Sequence, residues 1–546
     1  MKRIHLISVG FIVFALAVLI RILYLQVFCY EEMVKKANDQ ELYTVHLSEP
    51  LRGDILDRNK VSVTANQGVS ALLVVPMQIE DPNRFVKKMC EISDFSEENL
   101  LNKIIGEKEN GEVIRKQPFI AMSDLSEKEI AAFEDIGESG LYMIPRNERY
   151  VRDLPAQHLI GSLEQKNNIS VGISGLEYFF DDILFGGKDR QINYLIDNKN
   201  RFIVSSESNT GIKEKSLCGH LELTLDLNVQ RVAEAALKGL SGSVVVLDSK
   251  TSDVLALASS PKYDPYFVKE LKSNDAFVNK SLKSYPPASL FKIFIAAVAL
   301  ENEVVAKESA FYCDGSFKTE KNSVISCWNK NGHGLLTFED SLAFSCNPVY
   351  VNLSVNLGKE SLEKAFSQWE LNKDILLGYP LNELSSLHIE GESELSLGNA
   401  GLGENGVLLT PVNVAKMINV IASGGNVVSP RIVSASFDAK GKVFEKYDIS
   451  DPKRVISQET AAIVTDMMVK TFQTGTGKNL NLDEFQIAGK TGSSETGNVW
   501  IGGFFPYDDP QYTVVVLVTG AESGTTDAGP VMKKICGYLG NYDVND

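Results

Sequence analysis

From Leu6 to Ile20 the chain carries no charge and is apolar except for Ser8, and Ile22 to Phe28 continues the run past Arg21. Counted together, these residues approach the roughly 20 that a membrane-spanning helix needs. The run therefore commits the start of the chain to a bilayer, and the remaining residues must fold on their own in water. Lys2 and Arg3 precede it and favour an inside N-terminus, while Arg21 lies close enough to the far end to snorkel to the interface. A cleaved signal peptide is the competing reading. Its small-residue cleavage site is missing, since Arg21, Leu23, Tyr24 and Gln26 stand where it would be. An uncleaved anchor over residues 1–28 is expected.

The chain has 546 residues, too many for one ordinary domain and enough for two or three. With 44% hydrophobic and 23% charged residues, large cores are expected. A formal charge of -17, with no basic patch bearing interleaved aromatics, argues against nucleic acid as a partner. Cysteine is sparse and odd in number: Cys29, Cys90, Cys218, Cys313, Cys327, Cys346 and Cys536. That is unlike a disulfide scaffold. Cys313 and Cys327 flank one loop and are open to being bridged or reduced. No C-x-x-C spacing accompanies them, so a metal site built with His333 is not expected, and no metal or cofactor is anticipated. Cys346 has no His-based constellation around it, which favours a packing role.

Three short motifs carry the chemistry. Ser289-Leu290-Phe291-Lys292 sets a hydroxyl and an amine one helical turn apart; Ser345-Cys346-Asn347 and Lys490-Thr491-Gly492 come later at wide spacing. Singly they are weak. Ser259 to Lys262 and Ser361 to Lys364 also read S-x-x-K, and Ser354 to Asn356 reads S-x-N. Context separates them. Ser289 opens a run, Leu290 to Leu300, that lacks Gly and Pro and reads as a buried helix, so Lys292 shares a face with Ser289. Pro261 puts the Ser259 copy in a turn, and Ser361 lies on a charged helix surface. The alternative for Ser289 alone is a helix cap with an incidental lysine.

The ordered set S-x-x-K, S-x-N, K-T-G resembles that of the penicillin-binding transpeptidases and serine β-lactamases. Gly401-Leu402-Gly403 before Thr410-Pro411, and Trp500 to Pro506, resemble segments beside these motifs in the transpeptidases. Arg52-Gly53-Asp54-Ile55-Leu56-Asp57-Arg58-Asn59 resembles the R-G-x-I-x-D-R-N segment of class B penicillin-binding proteins, although Lys60 stands where they usually have Gly. Arg149-Tyr150 and Gly172 to Glu177 match the same region. Asp57 and Arg58 are expected to fix the fold and the junction to the catalytic half.

The resemblance implies an α+β penicillin-binding/β-lactamase-like transpeptidase domain, an antiparallel sheet with helices, preceded by the anchor and an elongated non-catalytic domain. The expected division is 1–28 anchor, 29–220 pedestal and 221–546 transpeptidase. Tyr30 to Tyr43 reads as a polar helical stalk, and Glu80 to Ser139 as an acidic, largely helical, solvated stretch. Strands are expected at Ser243 to Asp248, Val254 to Ala258, Phe485 to Thr491 and Tyr512 to Thr519, and a helix from Asn228 to Leu240.

In mechanism, the resemblance implies Ser289 as nucleophile and Lys292 as leading general base. A lysine serves as a base only when burial or neighbouring positive charge lowers its pKa, and Lys490 should approach from the sheet to do so. Ser345 should sit between the lysines and relay protons. Asn347 suits a substrate peptide bond, Thr491 and Ser493 beside Gly492 a substrate carboxylate, and the amides of Ser289 and Ser493 an oxyanion hole. The reaction implied is attack on the D-Ala-D-Ala bond of a peptidoglycan stem peptide, with an amine resolving the acyl-enzyme. β-Lactams would acylate the same serine. Expected partners are these stem peptides, the membrane and a membrane glycosyltransferase of the wall machinery, with the catalytic domain extracytoplasmic. A β-lactamase, a membrane-bound β-lactam sensor and a silent wall-assembly scaffold are the rivals.

Overall fold

The computed structural model describes the chain apart from residues 1, 31–32, 34–42, 50, 65–66, 94, 110–111, 116, 151–152, 167–168, 188–189, 197–201, 205–217, 264–274, 374–375, 380–384, 481, 483–484 and 543–546. Most of the expected stalk, Tyr30 to Tyr43, lies outside the described residues. Helix α1 runs Lys2–Val27, and its Ser8–Val27 stretch is long and apolar enough to cross a bilayer, with its apolar side chains exposed. It supports a membrane anchor.

Contacts divide the chain into two units, one of 1–51, 66–152 and 188–214, the other of 52–65, 153–187 and 215–546. The first holds a three-stranded antiparallel sheet in which Gln67–Val74 lies between Phe119–Met122 and Leu141–Glu148. Helices Pro82–Ile92 and Glu127–Ile136 contribute Phe85, Met89 and Phe133 to its core. The acidic stretch is thus not merely a solvated surface: its helices bury an apolar stripe, and it also contains the strands Ile105–Glu109 and Glu112–Arg115.

By contacts, residues 52–65 and 153–187 cluster with the second unit. The reason lies in their pairing. Ile55–Leu56 forms a parallel ladder with His220–Leu223. Arg52 is buried and bonds Glu177 and Asp181 at 2.7 Å each. Asp57 accepts from the amides of Asn59 and Val61 at 2.8 Å and of Leu227 at 3.3 Å. Lys60 holds φ 63°, the left-handed conformation a glycine would take in that turn.

The second unit is built on a five-stranded antiparallel sheet. Its strands are β1 (Gly242–Asp248), β2 (Val254–Ser260), β3 (Ala488–Ser493), β4 (Asn498–Phe505) and β5 (Tyr512–Thr519), in the order β2-β1-β5-β4-β3. Both faces of β5 are covered, which is why Val514 to Val518 is a continuous apolar run rather than an alternating one. On one face Val244, Val246, Val514 and Val516 meet residues of Leu227–Ala236 and Gly529–Tyr542. Against the other lies Pro411–Ala422, where Ile418 reaches Gly502 of β4. Among the described residues β3, with its Lys490-Thr491-Gly492, is an edge strand of this sheet. Helix α2 (Phe291–Glu301) is buried along almost its whole length, so the sequence-predicted helix is present.

Candidate active site

Ser289 sits where a turn becomes a helix. Ala288–Leu290 is a single 3₁₀ turn that continues into α2. Ala288 is held at φ 48°, and its amide donates to Gly403 O at 2.9 Å. Gly403, at φ 72°, lies so close that a Cβ there would stand 2.2 Å from Ala288 O. The preceding strand-like residues are clamped too. Tyr285 and Leu409 exchange backbone hydrogen bonds at 3.0 and 2.9 Å, and the Trp500 indole N–H donates to Pro286 O at 3.0 Å. Thus Gly403 and Trp500, singled out in the sequence only as neighbours of the motifs, brace the turn that carries the serine.

Lys292 is fully buried one turn on. Its ammonium donates to Asn347 Oδ1 at 2.7 Å, Ser345 O at 3.0 Å and Ser345 Oγ at 3.2 Å. It also lies 5.5 Å from the centre of the Tyr350 ring. Burial pulls its pKa down to about 8, against the opposing influence of Cys346, Cys327 and Glu404. Ser345 and Asn347 reach it from the junction of α3 (Phe338–Ala343) and α4 (Asn347–Gln368). Ser345 takes φ 53° there, a conformation that costs a non-glycine residue about 1–3 kcal/mol and persists only where its surroundings enforce it. Asn347 Nδ2 donates back to Ser326 O at 3.0 Å.

Lys490 is likewise fully buried on β3, with its pKa held well below the ordinary lysine value first by burial and then by the charge of Lys292. The two lysines repel, as expected, and that repulsion adds to burial in lowering the pKa of Lys490. Its ammonium bonds Thr491 O at 2.8 Å. Ser345 Oγ therefore bonds Lys292 and not Lys490 among the described residues, so the expected bridge between the lysines is half made. Gly492 explains how closely β3 approaches the serine: a Cβ built on it would meet Leu290 Cδ1 at 2.9 Å and the Ser289 amide nitrogen at 3.3 Å. Thr491 Oγ1 pairs with Thr476 Oγ1 at 2.9 Å, and Ser493 Oγ accepts from the Gly524 amide at 3.2 Å. Neither Thr476 nor Gly524 had a sequence signal. Nor did Glu404, next to Gly403, whose carboxyl is pushed up to about 7 by burial and by Glu495.

Comparison with known proteins agrees with this geometry. Residues 242–537 match the family model of the penicillin binding protein transpeptidase domain, and residues 47–218 that of the penicillin-binding protein dimerisation domain. The chain belongs to the class B penicillin-binding proteins. Stage V sporulation protein D of Bacillus subtilis is 28% identical over 97% of this chain and 83% of its own length. The peptidoglycan D,D-transpeptidase MrdA of Haemophilus influenzae is 24% identical over 95% and 88%. In fold, the penicillin-binding protein PBP2 of Helicobacter pylori aligns with a TM-score of 0.63 at 19% identity, covering 92% of this chain and 99% of that one. The D,D-transpeptidase domain from Eggerthella lenta aligns at 0.60 over 74% and 94%, at 24% identity.

Proposed function

We propose that this penicillin-binding protein cross-links peptidoglycan as a D,D-transpeptidase through an acyl-enzyme on Ser289, and that β-lactams acylate the same oxygen. The observation that carries the reading is Lys292. It is a buried amine one turn from a half-buried serine, tied to both polar residues of the S-x-N motif, with its pKa lowered to about 8. In its neutral form it accepts the Ser289 proton as the hydroxyl attacks the penultimate D-alanine carbonyl. The proton then passes by way of Ser345 to the leaving D-alanine amine. An amine of a second stem peptide resolves the ester, its proton returning to the same relay, so serine and lysine end as they began. Asn347 receives the substrate amide; the Ser289 and Ser493 amides receive the developing oxyanion, a contribution typically worth about 10²–10³ in rate. Lys490, Thr491, Gly492 and Ser493 form the wall that receives the terminal carboxylate.

The apolar helix Lys2–Val27, with Lys2 and Arg3 in its first turn, supports an inside N-terminus with the two folded units outside, where the wall substrate lies. A membrane glycosyltransferase supplying strands at that surface is the partner we assign. The test uses the full chain in detergent with a stem pentapeptide ending in D-Ala-D-Ala and an acceptor amine. The expected result is D-alanine release coupled to cross-linked product, both blocked by penicillin and absent in Ser289→Ala. Hydrolysed tetrapeptide without cross-linking would replace transpeptidation with carboxypeptidation. Rapid turnover of the β-lactam would indicate a β-lactamase, and inertness towards both would leave a scaffold.

A further inference from the structure

Cys313, Cys327, His333 and Cys346 are spread along the sequence, yet their ligand atoms all lie within 4.8 Å of one another. The three cysteines are buried, and none is in a disulfide. Cys313 and Cys327, open to being bridged or reduced on sequence grounds, are thus two free thiols. Their spacing alone leaves out Cys346, which comes from the S-x-N motif itself. Two short hairpins bring the other donors in. Cys313 ends Ala310–Cys313, which pairs with Gly334–Thr337 just after His333, and Cys327 comes directly after Val324–Ser326, which pairs with Ser316–Lys318. Gly332 makes the loop tight: a Cβ there would meet Cys313 O at 2.3 Å, and its φ is 78°.

We infer that these four residues form a structural zinc site of Cys₃His type, whose ion ties the S-x-N turn to the two hairpins. A tetrahedral ion with Zn–S about 2.3 Å and Zn–N about 2.05 Å sets sulfurs about 3.8 Å apart and sulfur to nitrogen about 3.6 Å. Cys327 Sγ and His333 Nδ1 already stand 3.6 Å apart. The imidazole is aimed by its neighbours: Trp328 meets it edge-on at 5.3 Å, Phe344 stacks at 6.2 Å, and the Trp328 indole is itself fixed by Phe344 O at 2.9 Å. His333 Nε2 is buried without a hydrogen-bond partner. The ring thus spends its polar capacity on the sulfur cluster. Soft thiolates with one imidazole suit zinc over magnesium or calcium. On binding, three thiols release three protons to solvent, neutral His333 donates its lone pair, and four bonds to the ion form without any change in oxidation state.

The consequence reaches the active site through one residue. Cys346 lies between Ser345 and Asn347, which hold Lys292, and Ser345 occupies a left-handed conformation that something must enforce. An ion gripping Cys346 is a fitting restraint. Cys313, Cys327, His333 and Cys346 are accordingly positioning residues. Coordination would also keep the thiols from oxidation on the outer side of a membrane, where unliganded cysteine pairs tend to be oxidised.

The test is metal analysis of the full chain purified in detergent with zinc supplied, expecting about one zinc per chain. Cobalt(II) substitution should give thiolate-to-metal charge-transfer absorption with tetrahedral d–d bands, a signature that buried packing thiols do not produce. Cys327→Ser and His333→Ala should lose the ion, while Cys90→Ser, outside the cluster, keeps it. Because the wild-type cobalt spectrum needs no variant, a misfolded mutant does not blunt the test. Chelation should slow penicillin acylation and lower the melting temperature, with zinc restoring both. Zinc-free wild type without a cobalt spectrum, or a Cys313–Cys327 disulfide in a non-reducing peptide map, would overturn the site. Acylation unchanged by removal of the ion would overturn its positioning role.

Discussion

Arg52 and Lys292 are both buried cations of the same unit, yet the chain surrounds them in opposite ways. Arg52 meets two carboxylates, Glu177 and Asp181, and two backbone carbonyls, those of Ser170 and Glu177. Lys292 meets a carbonyl, a hydroxyl and an amide oxygen, and among the described residues no carboxylate lies within ion-pair distance of it. Burying a charge in protein carries a desolvation penalty of several kcal/mol. Counter-ions offset it around Arg52. At the site the penalty is left standing, and the lysine answers by losing affinity for its proton. The same chain thus pairs one buried cation fully, at Arg52, and leaves the other without a counter-ion, at Lys292, the environment that the proposed base requires.

Removing each cation should separate the two roles. The largest effect expected is on chemistry: Lys292→Met should cut penicillin acylation by about 10²–10⁴, the span of general-base catalysis, while leaving thermal stability unchanged or raised. Stopped-flow acylation and melting curves on one preparation read both quantities, and a severely destabilised Lys292→Met with near-normal acylation would merge the two classes. Next comes Arg52→Met, which strands Glu177 in a buried position and should destabilise the unit by about 3–5 kcal/mol. The fraction that remains folded should acylate at the wild-type rate.

A smaller effect sharpens the Lys292 side. Its folded pKa is about 8, below the free value of 10.5, so below pH 8 the amine is mostly protonated and holds no lone pair for the serine proton. The acylation rate should rise with pH and level off above about 8. A profile flat from about pH 6 to 9 would remove Lys292 from that role. The smallest effect concerns the brace. Trp500→Phe deletes the hydrogen bond to Pro286 O and should cost about 1 kcal/mol of stability. Acylation should slow only a few-fold, measured in the same assay.

The range over which each interaction acts decides how much of this is legible in the sequence. The helix after Ser289, the strands Gly242–Asp248 and Tyr512–Thr519 and the membrane-length helix all rest on local apolar patterns, and all are present. Ser289 and Lys292 are visible as a pair because one helical turn joins them. The hidden features lie across long chain separations. No local pattern announces that Arg52 will find Glu177 or that Ile55 will pair with Leu221. The cysteine cluster escapes a reading by spacing because two of its members lie near each other in sequence while the decisive one, Cys346, belongs to a different motif. The motifs suggest that Lys490 shares Ser345 with Lys292; instead its ammonium turns to the carbonyl of Thr491 on its own strand, a backbone geometry no motif encodes.

The measurement that bears most directly on the central claim is the location of the penicillin adduct. Full-length protein, acylated and then digested, should yield one modified peptide, carrying the penicilloyl mass on Ser289 and absent from Ser289→Ala. An adduct mapped to any other residue, or one that persists in Ser289→Ala, would contradict the assignment of this serine and of the lysine poised beside it.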